Sequence, residues 1–98
     1  MPTLTVDLQE GFEGDEVVIA VDGRELFRKQ GVKTRHQIGL AERVRLEVEA
    51  KQCSLRVSLP ERSLKRELSV DCAAEPTLAV SLIGGQIDIR PFTLPGYL

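Results

Sequence analysis

Cys53-Ser54-Leu55-Arg56-Val57-Ser58-Leu59 puts an apolar side chain at every second position, with polar residues between. Successive side chains of a strand point to opposite faces, so the stretch reads as a half-buried β-strand. The same period spreads outward from it. Leu64, Leu68, Val70 and Cys72 continue it on one side, and Val44, Leu46 and Val48 precede it on the other. Leu78, Val80, Leu82, Ile87 and Ile89 close the series. The chain reads as an all-β domain.

Turn residues punctuate this pattern. Asp22-Gly23 separates Val17–Val21 from Arg24–Arg28, and Gly84-Gly85 separates Leu78–Ile83 from Gln86–Arg90. Both dipeptides supply the positive φ that two-residue hairpin turns require. Residues facing each other across a hairpin have a constant index sum, which tests each turn. About Gly84-Gly85, Leu82 faces Ile87, Val80 faces Ile89 and Leu78 faces Pro91, giving one wholly apolar face. A turn over Pro60–Ser63 sets Leu59 against Leu64, Leu55 against Leu68 and Cys53 against Val70. A turn at Ala50-Lys51 sets Val48 against Cys53, Leu46 against Leu55 and Val44 against Val57. The expectation is a three-stranded meander over 43–49, 53–59 and 64–72, with Arg45, Arg56 and Glu67 in one outer row. Arg66 breaks the apolar parity, which places it near an edge with its stem buried and its guanidinium in water.

The amino-terminal half adds a strand over Thr3–Gln9, and the sharing of parity by Val32, Thr34, His36, Ile38 and Leu40 suggests another. Val17–Val21 is apolar on both parities, the mark of a strand in a sheet centre. Eight or nine short strands with no substantial helix imply a compact antiparallel β-sandwich, Ig-like or jelly-roll-like, with a small closed barrel as second choice. The 98 residues form one domain, with 92–98 as an apolar C-terminal tail.

Composition narrows function without naming it. Hydrophobic residues make up 42% and charged residues 29%, which is globular, and the net charge of −2 exerts no general pull on nucleic acid or anionic membrane. The longest apolar run, Val17 to Val21, is too short for a membrane helix or a secretory leader, so the expected location is the cytoplasm. A chain whose leader had been removed would read the same. Cys53 and Cys72 are too few for a disulfide framework and share the apolar parity, so they read as reduced core thiols. On a straight-strand register, Cys72 is a diagonal neighbour of Cys53, roughly 7–8 Å between Cα atoms and beyond ordinary disulfide reach.

Charge is uneven along the chain. Residues 1–22 hold Asp7, Glu10, Glu13, Asp15, Glu16 and Asp22 and no base, whereas 24–36 hold Arg24, Arg28, Lys29, Lys33 and Arg35 against Glu25. An acidic strand joined to a basic one by the Asp22-Gly23 turn explains this, with cross-strand attraction such as Glu16 to Lys29. A sharper alternative is a calcium site in the loop 10–16, using Glu13, Asp15 and Glu16, although the Asp-x-Asp-x-Asp spacing is missing and Phe12 fits better as a core plug. Anion or nucleic-acid binding by 24–36 lacks the stacking aromatics it would want. The absence of tryptophan weakens a sugar site. His36, the sole histidine, shares parity with Ile38 and Leu40 and reads as structural. No nucleophile elbow, Walker loop, dinucleotide fingerprint or zinc motif occurs, so no enzyme activity and no cofactor is expected.

By elimination the expected function is a non-enzymatic interaction or accessory module. It would engage a protein partner or a second copy through a sheet edge, the charged hairpin or the tail that contains Tyr97. The alternative is a small-ligand or calcium-binding module using 10–16 or 24–36.

Overall fold

The structure, a computed structural model, describes residues 2–34 and 41–91. Eight strands run through them: β1 Thr3–Leu8, β2 Glu13–Val21, β3 Arg24–Lys33, β4 Glu42–Glu47, β5 Gln52–Leu59, β6 Leu64–Asp71, β7 Thr77–Ile83 and β8 Gln86–Pro91. They form two four-stranded sheets, β4-β1-β7-β8 and β3-β2-β5-β6, packed as a sandwich. The only helical segments among the described residues are 3-10 turns over Pro60–Arg62 and Cys72–Ala74. Val32 does not open a further strand: it and Lys33 complete β3, and Thr34 lies just beyond that strand. Residues 35–40, with His36, Ile38 and Leu40, and the tail 92–98 lie outside the described residues.

The core is the space between the sheets. Alternate residues of each strand enter it: Leu4, Val6 and Leu8 from β1, Val17 and Ile19 from β2, Leu55, Val57 and Leu59 from β5, and Val80 from β7, all fully buried. Those four strands hold the two middle positions of each sheet. β2, apolar on both parities, is central as its sequence implies. Its outward Val18 and Ala20 are buried too, lying in register between Arg28 and Ser58 and between Glu25 and Arg56.

Three hairpins match or nearly match the expected registers. β7 and β8 pair Leu82 with Ile87 and Leu78 with Pro91, and β5 and β6 pair Cys53 with Val70 and Leu59 with Leu64. Positive φ at both Asp22 and Gly23, and at both Gly84 and Gly85, gives the mirror-image turns that suit the strand twist. The β2–β3 hairpin departs by a bulge. Ala20 faces Glu25 but Ile19 faces Phe27, so Leu26 is an extra residue and the pairs at Ile19, Val18 and Val17 shift by one, with further irregularities on either side of Asp15.

Two expectations fail. The first is the meander: β4 pairs with β1, not β5, so the chain crosses between sheets at 48–51. Both strands point their apolar parity into one core from opposite sides, and that reproduces the facing pattern of a hairpin. Arg45 therefore sits on the opposite sheet from the Arg56–Glu67 pair. The second is wholly antiparallel pairing: β1 runs parallel to β7, Val6 beside Leu78, which makes one sheet mixed. Alternation carries no strand direction, and parallel neighbours require a long crossover, here the chain from β2 to β6.

Polar groups bridge the sheets at their flanks. The Lys29 ammonium of β3 meets the Glu42 carboxylate of β4, and Arg66 Nη1 of β6 donates to the Ile87 carbonyl of β8 at 3.3 Å. Arg66 thus lies on an edge strand, as its break in the parity suggests.

Candidate interaction surface

β3 is the longest strand, an edge, and eight of its ten residues are exposed; Phe27 is half-buried and Val32 buried. Its sequence makes it so. Arg24, Arg28, Lys29, Gln30 and Lys33 cannot enter a core without partners. Leu26, 38% exposed at the bulge, is one of two large apolar side chains left in solvent among the described residues.

Two cations of the basic run are engaged by carboxylates. Arg28 Nη2 donates to Glu25 Oε1 at 2.7 Å and Nη1 to Glu16 Oε2 at 3.1 Å. The hydrogen bonds from Arg28 hold the Glu25 carboxyl below its ordinary value, and those carboxylates hold the Arg28 guanidinium protonated. Lys29 meets Glu42, and Lys33 stands in register with Glu13. Glu16 thus pairs with Arg28 rather than with Lys29. The bulge at Leu26 moves Lys29 opposite Val17 and brings Arg28 and Gln30 within reach of Glu16.

The acidic loop is likewise occupied by the protein's own groups. Asp15 and Glu16 point to opposite faces of β2. Asp15, 8% exposed, receives Arg62 Nε at 2.7 Å and Nη2 at 3.1 Å, and the Glu13 N–H at 3.0 Å. Burial pushes its carboxyl up, but the hydrogen bond and charge of Arg62 and the Glu13 amide outweigh that and hold it below its ordinary value. The Glu16 N–H donates to Glu61 Oε1 at 3.0 Å. Glu13, Asp15 and Glu16 do not converge, and no group of three metal-ligating side chains occurs among the described residues. Phe12 is buried as a core plug, with its N–H on the Thr34 hydroxyl, which itself donates to the Gln9 carbonyl.

A cleft lies at each end of β3. One, about 460 Å³, has Val21, Leu26, Val48 and Ala50 as apolar lining and Asp22, Arg24, Glu47 and Glu49 as charged rim. The other, about 370 Å³, is lined by Gly11, Phe12, Glu13, Lys33 and Thr34. Sequence reasoning singles out Arg24 and Lys33 but misses Leu26, Val48 and Glu49. No local signal marks them, because the first cleft joins the β2–β3 turn to the end of β4 across the two sheets. Arg35 and Tyr97 lie outside the described residues.

No local sequence signal marks the Asp7–Arg43 ion pair. Asp7, fully buried on the outward parity of β1, accepts from Arg43 Nε at 2.8 Å and Nη2 at 3.0 Å. The β1–β4 register, which sets Asp7 opposite Arg43, creates it.

Comparison with known proteins finds no match to a family model, to a curated protein or to a solved structure.

Proposed function

We propose that this chain is a non-enzymatic protein-interaction module that receives an extended segment of a protein partner along the outer edge of β3, which no other strand covers among the described residues. The observation that supports it is β3 itself: a long, exposed edge strand with a cleft at either end. In strand addition the main chain supplies hydrogen bonds and pockets select alternate side chains. The bulge that exposes Leu26 beside Val21 and Val48 offers one such pocket. Arg28 and Lys29 are held by carboxylates of the chain, so along the middle of β3 recognition rests on backbone and shape. The same ion pairs and the bulge also discourage indiscriminate pairing of this edge. The sandwich is of the Ig-like or jelly-roll-like kind, a reading supported by two four-stranded sheets between which the chain passes repeatedly.

Selection from a displayed library of extended peptides tests the proposal. Gln30 has no register partner on β2, so Gln30→Pro removes an N–H from the edge strand while sparing the hairpin. Selected peptides should bind Gln30→Pro at least about tenfold more weakly at an unchanged melting midpoint, a loss on the order of one main-chain hydrogen bond. Leu26→Asp should change the residue preferred at one peptide position. Equal binding to wild type and Gln30→Pro, or selection of no peptide, would sink the reading.

A further inference from the structure

Cys53 and Cys72 are both free and both buried, at 4% and 0% exposure. Cys53 faces Val70 across β5 and β6, as the straight register requires. The strand does not continue straight past Asp71. A 3-10 turn starts at Cys72, and the N–H groups of Cys72 and Ala73 both donate to the Lys51 carbonyl, at 2.7 and 3.1 Å. Asp71 Oδ1 accepts from the Ala73 N–H and caps that turn. The curl folds Cys72 back toward the start of β5 and brings its thiol beside the Cys53 thiol. Cys53 Sγ in turn donates to the Ala50 carbonyl at 3.5 Å.

We propose that Cys53 and Cys72 are a disulfide-forming pair, closed by a low-molecular-weight disulfide such as oxidised glutathione. One cysteine thiolate attacks a sulfur of the oxidant, forming a mixed disulfide and releasing one glutathione thiolate. The second cysteine thiolate attacks the protein sulfur of that bond and releases the other glutathione. The protein loses two electrons and two protons, and the two glutathione molecules gain them. The new bond ties β5 to the turn through which the chain leaves its sheet for β7. It also removes the S–H that holds the Ala50 carbonyl, on the wall of the cleft beside β3.

The pair is guarded as well as close. Burial, then the neighbouring Cys53 thiol, pushes the Cys72 thiol up to about 12, so its native state holds almost no thiolate at neutral pH. Closure therefore follows local opening of the Cys72–Ala74 turn, and sub-denaturing urea should speed it.

The test treats the reduced protein with oxidised glutathione, with and without sub-denaturing urea, followed by intact mass, peptide mapping and melting after urea is removed. Expected are a product lighter by two hydrogen atoms, a Cys53–Cys72 cross-linked peptide and a midpoint raised by roughly 10–20 °C. Cys72→Ala should instead hold glutathione on Cys53; if that variant fails to fold, the wild-type map alone decides. Persistent mixed adducts, cross-links only between molecules, no oxidation under either condition, or an intramolecular bond that lowers the midpoint would each overturn the proposal.

Discussion

Gly11 stands between β1 and β2 with φ of +90°, and a Cβ there would lie 2.4 Å from the Leu82 carbonyl oxygen. The Leu82 N–H donates to the Glu10 carbonyl at 2.8 Å, so the loop and β7 cannot easily part. Gly11→Ala combines left-handed strain with a backbone clash. It should cost about 2 kcal/mol or more, read as a lower urea midpoint. Asp15 makes a different kind of prediction. Its carboxyl is depressed below 3.8, so its contribution is present above that value and lost as pH falls through the lower native one. Below about pH 4 wild type should therefore lose its stability advantage over Asp15→Asn, and equal acid limbs would show that Arg62 does not hold this carboxylate. At this scale Phe12 as a core plug was readable from two flanking glycines and its size. The partner of Asp15 was not, because Arg62 arrives from the β5–β6 turn.

Strands differ in how much they carry. β5 is central and Leu55 is fully buried, whereas Leu26 of β3 sits at an edge with 38% exposure. Leu55→Ala should cost about 2–5 kcal/mol by chemical denaturation. Leu26→Ala should fall within about 0.5 kcal/mol, as expected of a surface position. A comparable loss at both would mean that β3 packs as a core strand. Existence and register of the β7–β8 and β5–β6 hairpins follow from local pattern and turn residues. The β2–β3 register does not, since the bulge at Leu26 obeys the twist and packing of the hairpin rather than any turn signal. The Ala50-Lys51 crossing shows the same limit from another side. Val48 and Cys53 keep complementary parity whether their strands pair or merely face one core.

Across the whole molecule, β1 carries the longest connections. It pairs with β4 on one side and, in parallel, with β7 on the other, and so joins the beginning of the described chain to its last hairpin. Most of what the candidate surface consists of is created at this scale. The cleft beside Leu26 needs β4 brought to the flank of β3, and the ion pairs within the basic run need Glu16 and Glu42 brought to Arg28 and Lys29. By itself the sequence determined the all-β class, most of the strands, the buried parity and two hairpin registers, since each depends on neighbours a few residues apart; it did not run Val32 into β3. The assignment of strands to sheets, the parallel β1–β7 pairing, the ion pairs of Arg28 and Lys29 and the closeness of Cys53 to Cys72 were decided only by the tertiary structure. Those depend on which distant segments share a core or a flank, and a period of two is the same for every arrangement that buries the same side chains.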